Sequence, residues 1–347
     1  MSPEPAADDK VLSVENLRVW YGTGDDPVRA VDGVSFEIGA GETLGLVGES
    51  GCGKSTLGRG VLGLLPAMAA VHGSVRYAGR ELVGMEQAEM RHMRGPELGL
   101  IFQEPMTRLD PLQTIESHFR EALKQHDPDL GKEEVRRRSL ESLAGMGIPR
   151  TRFSQYPHEF SGGMRQRIMI ALALVLEPKV LIADEPTTAL DVIVEAQILG
   201  ILADLRRNFD TAVLLITHNL GIVAEACDRV AVMYAGRIVE EGDAREVFSE
   251  PAHPYTRELL RATISLETTG LNYIPGAPPS LKDPPSGCSF HPRCPNAMKI
   301  CAVRDPIEVR APGGQRVECW LHGPESEVGA GDADPLPKAE IATAEEA

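Results

Sequence analysis

Between residue 11 and about residue 47, apolar and polar positions alternate, and the alternation is interrupted at Tyr21-Gly-Thr-Gly, Asp32-Gly33 and Gly39-Ala-Gly41. Period-two patterning broken by glycine turns predicts antiparallel strands leading into Glu42 to Val47. From about Met106 to Leu174 the period becomes helical. Helices are expected over Ile115 to Lys124, over Lys132 to Met146, and from just after Gly163 until Pro178 stops the last. Two short apolar strands follow, Val180 to Ala183 and Val213 to Ile216, separated by a helix near Ile193 to Arg207, which is the rhythm of parallel βαβ units. The expected fold is α/β: an antiparallel β subdomain, a mostly parallel core sheet, and a helical subdomain inserted at about residues 106–175. That domain spans residues 11–265. The Pro-rich stretch Pro275 to Pro285 leads into a Cys-rich extension, residues 266–323, and the acidic Ala/Gly/Glu tail, residues 324–347, is expected to be disordered.

Composition narrows the class. With 347 residues, 42% apolar and 25% charged, the chain reads as an ordinary globular protein with room for a sizeable core. No apolar run approaches the roughly 18 residues that suggest a membrane span. The first ten residues are acidic and Pro-rich rather than basic and apolar, so the chain is expected in the cytoplasm. A formal net charge of −16 argues against non-specific binding to nucleic acid, which needs a basic surface. The short basic run Arg136-Arg-Arg138 lies in a helical pattern beginning Lys132-Glu-Glu134 and reads as a solvated face. Six cysteines in a reducing compartment are poor disulfide candidates, which turns attention to ligation.

The chemistry begins at Gly48, Glu49, Ser50, Gly51, Cys52, Gly53, Lys54, Ser55 and Thr56, a phosphate-binding loop pattern placed between a predicted strand and a predicted helix. Its glycines let successive N–H groups point inward at phosphate oxygens, and the following helix adds its positive end. Lys54 then reaches the β- and γ-phosphates of ATP and the Ser55 hydroxyl ligates Mg²⁺. The strand Val180-Leu-Ile-Ala ends in Asp184 and Glu185. A rigid strand tip suits Asp184 to Mg²⁺ and Glu185 to the attacking water as general base. Alone, such a pair is usually a cap or a surface feature, and a strand-end histidine such as His218 is more often structural. Beside a phosphate loop they gain weight, and His218 can hold the water and Glu185 in line. Ser161, Gly162 and Gly163 open another helix N-terminus suited to a phosphate, which one chain with one phosphate loop does not itself need.

Together these residues resemble the nucleotide-binding subunits of ABC transporters over roughly residues 11–265, a P-loop NTPase fold. The resemblance implies a pair of ATPase subunits facing head to tail, the Ser161-Gly-Gly segment of one closing over ATP held by the other. It further implies that Tyr21 stacks on adenine, that Gln103 senses Mg²⁺ and the permease, and that Asp191 links the two sites. The signature reads Phe160-Ser-Gly-Gly-Met164, keeping the serine and both glycines.

Cys288, Cys294, Cys301 and Cys319 can hold either an iron–sulfur cluster or a structural Zn²⁺, and their wide spacing lacks the short knuckle of zinc sites. With the His253-Pro-Tyr-Thr256 approach, this segment resembles the C-terminal region of oligopeptide/dipeptide importer ATPases, which implies a [4Fe–4S] cluster on the four cysteines. The same resemblance implies two transmembrane permease subunits, a second ATPase subunit identical or related, an extracytoplasmic substrate-binding protein acting indirectly, no nucleic acid, and a peripheral place on the cytoplasmic face of the cell membrane. Nickel or oligosaccharide import is the alternative cargo. Soluble ABC ATPases of ribosomes or DNA form a different class, and no second cassette, long coiled coil or basic surface of that kind is visible here.

Overall fold

The computed structural model describes residues 10–22, 26–102, 108–187, 192–262, 273–324, 326–329 and 331–336. In chain order the elements are β1 (Lys10–Tyr21), β2 (Val28–Gly39), β3 (Thr43–Val47), α1 (Lys54–Val61), β4 (Ala69–Tyr77), β5 (Arg80–Glu81), α2 (Gln87–Met93), β6 (Leu98–Ile101), α3 (Ile115–His126), α4 (Lys132–Gly145), α5 (Gly162–Leu174), β7 (Val180–Asp184), α6 (Val192–Phe209), β8 (Ala212–Ile216), α7 (Leu220–Ala226), β9 (Arg229–Tyr234), β10 (Arg237–Asp243), α8 (Ala244–Ser249), α9 (Pro254–Arg261), α10 (Lys299–Val303), β11 (Glu308–Arg310) and β12 (Arg316–Glu318). They fall into two compact units, one of Met1–Ser13, Glu37–Thr43 and Arg76–Ile216, the other of Val14–Phe36, Leu44–Val75 and Thr217–Ala347.

In the first unit β6, β7 and β8 run parallel, Leu98 opposite Val180 and Val180 opposite Ala212. Every residue of β7 and β8 is buried, as parallel strands covered on both faces require. The expected helical subdomain is formed by α3, α4 and α5. Thr114 caps α3 by accepting from Ser117 N, and its buried stripe Ile115, Phe119 and Leu123 follows the helical period. Phe119 meets Phe153 edge-on with centroids 6.2 Å apart. Helix α4 is fastened to α5 by Ser142 Oγ donating to Ala171 O at 2.8 Å, and to the end of α5 by Arg138 donating to Val175 O at 2.8 Å. Of the rest of the basic run, Arg137 bridges Glu134 and Glu141 on α4 itself, and Arg136 meets Glu116 of α3 at 3.8 Å.

In the second unit β3 runs parallel to β9, and β10, β12 and β11 continue from β9 antiparallel in that order. The C-terminal extension therefore contributes strands to the sheet that carries β3. Glu241, 1% exposed, cross-links these strands through ion pairs to Arg229 and Arg316. Tyr234, Tyr255 and Phe290 pack on one another with centroids 4.5 to 5.3 Å apart, at the centre of a core that also takes in Cys294, Ile274 and Leu336. Among the described residues of the tail, Asp334 O and Asp332 O accept from Lys299 N and Ile300 N, Leu336 N donates to Ala297 O, and the Leu336 side chain is buried. No helix among the described residues is long and apolar enough to cross a membrane.

Candidate active site

Residues 48–56 form the expected loop between β3 and α1, and backbone geometry explains two of its glycines. Gly48 sits at φ 152° and Gly53 at φ 109°. A Cβ on Gly48 would fall 2.2 Å from Met233 O, and one on Gly53 would fall 2.0 Å from Ala30 O. Only glycine fits either place. Gly53 is the N-cap of α1, no side chain caps that helix, and its first turn carries no acidic residue. The end of α1 is thus left to its own N–H groups and dipole, the arrangement that favours a bound phosphate.

Lys54 is 7% exposed, and its ammonium donates to Gly48 O at 2.8 Å and Glu49 O at 2.9 Å. The loop is therefore wrapped around its own lysine. Cys52, buried, has its thiol pKa pushed up by burial, with Lys54 opposing, so it is a filling residue of the loop and not a nucleophile. Glu49 is held from three sides. Its N–H donates to Tyr255 Oη at 2.9 Å, its carbonyl accepts from Lys54, and its carboxylate takes Arg293 through both nitrogens at 2.7 and 3.0 Å.

In the same unit His218 is exposed between two anchored residues. Thr217 N donates to Leu46 O, and Asn219 caps α7 by accepting from Gly221 N and Ile222 N. Tyr21 is half-buried, whereas its neighbour Trp20 is taken up by Arg29 over its ring at 5.4 Å and by His72 at 6.2 Å.

In the first unit β7 delivers Asp184, 4% exposed, at its last position. Glu185 follows in left-handed backbone, φ 49°, with its N–H donating to Ile216 O at 2.9 Å. A glutamate held at positive φ is a conformation that proteins keep at functional positions. Ser161 accepts from Met164 N to cap α5, and Ser161 and Gly162 are exposed. Buried Gln166, in the second turn of α5, donates its amide to Pro186 O and so ties the signature helix to the turn after Glu185. Arg152 steadies the approach to the signature, donating to Glu159 O at 2.6 Å and lying 4.3 Å over the Phe160 ring. Gln103 and Asp191 lie outside the described residues.

The sequence reading missed Gln166, Arg152 and the partners of Glu49. A glutamine four residues into a helix carries no signal of its own, whereas Arg293 stands inside the His291-Pro-Arg-Cys294 run and Tyr255 inside the His253 motif, both already conspicuous.

Cys288, Cys294, Cys301 and Cys319 lie in one segment, all with free thiols, the last three buried. Burial, with a smaller push from other thiols of the set and against backbone hydrogen bonds that lower it, brings Cys288, Cys294 and Cys319 up to about 12. Cys301 is raised by burial as well. Among the described residues no three His, Cys, Asp or Glu groups stand close enough to hold a metal ion, so the geometry lends no support to the expected cluster or to zinc.

Known proteins agree with the residues. The family described as ABC transporter matches residues 31–188, and the one described as oligopeptide/dipeptide transporter, C-terminal region, matches residues 239–301. An oligopeptide transport ATP-binding protein OppD of Salmonella typhimurium is 47% identical over 91% of this chain and 94% of its own length. A dipeptide transport ATP-binding protein DppD of Bacillus subtilis is 46% identical over 94% of this chain and 99% of its own. Among solved structures, the post-hydrolysis dimer of the ATP-binding cassette MJ0796 bound to ADP and Pi matches with a TM-score of 0.61 at 27% identity, over 67% of this chain and 99% of that one.

Proposed function

Because the chain belongs to the ABC transporter ATP-binding proteins, and carries the C-terminal region of the oligopeptide/dipeptide branch, we propose that it is the ATP-hydrolysing subunit of a peptide importer. The observation that carries the reading is the glycine-restricted phosphate loop wrapped on Lys54 in the second unit; the strand tip of the first unit, which ends in buried Asp184 and left-handed Glu185, agrees with it.

In this reading the loop N–H groups and Lys54 take the β- and γ-phosphates. Ser55, at the start of α1, and Asp184, an almost fully buried carboxylate, have the hard oxygen donors that suit Mg²⁺. When bound, that ion neutralises charge developing on the transferred phosphoryl group. Glu185 accepts the proton of the attacking water, and His218 keeps that water in line. Tyr21 stacks on adenine. Gln103 and Asp191 relate the site to Mg²⁺, the permease and the second site. Ser161 and Gly162, exposed at the head of α5, close with Gly163 over a nucleotide held by a second ATPase subunit, identical or related. Two permease subunits receive that closure, with an extracytoplasmic binding protein beyond them, and the chain sits peripherally on the cytoplasmic face of the membrane.

The resemblance of the C-terminal region alone supports a thiolate-ligated [4Fe–4S] cluster on Cys288, Cys294, Cys301 and Cys319. No step of hydrolysis is routed through it. The relatives' names favour peptides over nickel or oligosaccharides as cargo.

The test is ATP hydrolysis by the chain co-purified with its permeases. Turnover is expected to rise when a peptide-loaded binding protein is added, and Glu185→Gln is expected to retain ATP while losing roughly a hundredfold or more in rate. Equal turnover by Glu185→Gln and parent refutes the reading.

A further inference from the structure

Glu49 occupies a loop position whose usual work is done by its backbone, yet here its side chain is also engaged. Arg293 spends its whole guanidinium on this chain. Both terminal nitrogens meet the Glu49 carboxylate, Nε donates to Pro275 O at 2.9 Å, one terminal nitrogen also reaches Ile274 O at 3.2 Å, and the other lies 3.3 Å from Tyr234 Oη. The Arg293 side chain is 4% exposed and that of Glu49 23%. A planar fork fixed to two main-chain carbonyls behaves as a rigid bracket, not as a mobile surface ion pair. Burial would lower the Arg293 pKa, but the bonds to Glu49 and Tyr234 outweigh it and the group stays charged.

The bracket starts in the Cys-rich extension, in the turn directly before Cys294, where Cys294 N donates to His291 O. It ends on the residue whose carbonyl holds Lys54. Tyr255, fully buried, fixes the same residue's N–H from α9. All of these groups belong to the second unit.

We propose that Arg293 is a positioning residue for ATP: through Glu49 it sets the curl of the phosphate loop and the reach of Lys54, so the Cys-rich extension governs nucleotide affinity. This rests on the ATP-binding reading given above. Arg293 touches no phosphate in this scheme, so its loss acts on binding and spares the chemical step once ATP is saturating.

The experiment measures affinity of the full-length chain for a fluorescent ATP analogue with Mg²⁺, alongside KM and kcat of hydrolysis. The variants are Arg293→Met, Arg293→Lys, Glu49→Gln, the double Arg293→Met/Glu49→Gln, and Lys54→Ala. Arg293→Met and Glu49→Gln are each expected to weaken binding about tenfold, the scale of one charged hydrogen-bonded pair. The double variant is expected to be no worse than the poorer single, because both break the same link. Arg293→Lys is expected to recover part of the loss, and kcat of Arg293→Met is expected within about twofold of the parent. Parental affinity in Arg293→Met, additive losses in the double, or an equal fall in kcat overturns the proposal. If Arg293→Met lacks the parental melting transition, Glu49→Gln, altered on a partly exposed side chain, decides the matter: parental affinity there overturns it. If Lys54→Ala binds as the parent does, the ATP reading itself falls and the proposal with it.

Discussion

Replacing His253 with asparagine is expected to remove much of the acid sensitivity of this protein's stability. His253 is 1% exposed, and its pKa is pushed down to about 3, first by burial and then by the charges of His322 and Arg257. Its Nδ1 accepts from Tyr255 N at 3.0 Å and caps α9, which places the ring proton on Nε2. In the folded chain the ring therefore stays neutral down to about pH 3, whereas in the unfolded chain it takes a proton below about pH 6.5. Between those values the unfolded state binds more protons, so stability is whole above the unfolded pKa and is lost as pH falls. One such group gives a slope approaching 1.4 kcal/mol per pH unit, with a ceiling of roughly 5 kcal/mol across the window. Asparagine keeps an acceptor for Tyr255 N and does not titrate. The measurement is denaturant unfolding of parent and variant between pH 7 and 4, followed by tryptophan fluorescence. Trp320, 3% exposed and packed with Ile300 and Cys301, reports on the C-terminal region. Any constant offset from the smaller side chain is independent of pH, and the gap is expected to close by roughly 1 kcal/mol per pH unit below pH 6. Parallel curves across that range refute the reasoning, because they require a proton to reach the ring without unfolding.

Three further outcomes are expected. Gly53→Ala, which puts a Cβ 2.0 Å from Ala30 O at φ 109°, is expected to weaken ATP binding at least tenfold, read by equilibrium titration. Gln166→Leu leaves Pro186 O without its donor; a stability loss of about 1–3 kcal/mol is expected, with a lower kcat, read by melting and steady-state kinetics. Asp184→Asn is expected to raise the Mg²⁺ concentration needed for half-maximal hydrolysis at least tenfold, read by metal titration of the rate.

Much of the site was legible because its parts are local. The phosphate loop announces itself through glycines that positive φ and close backbone approach demand, and Asp184 and Glu185 fall where a buried apolar run stops. Strands β7 and β8 and helices α3 to α6 follow from period, whereas β9 to β12 and the short helices of the C-terminal region gave no periodic signal that was read. The grip on Glu49 was not legible, since Tyr255 and Arg293 lie 206 and 244 residues away and nothing in a local window relates them. The left-handed backbone of Glu185 was equally hidden, because a glutamate gives no sign of positive φ. The backbone bond from Leu336 to Ala297 was not legible either, since nothing local in an acidic, small-residue run relates the two.

The 244-residue span between Glu49 and Arg293 has a consequence for how the protein is born. At roughly 5–20 residues per second of synthesis, the ribosome has made the loop tens of seconds before it makes the arginine that completes it. A nascent chain therefore emerges with its phosphate loop made and the arginine that clamps Glu49 still to come, so the last setting of that loop waits on late translation.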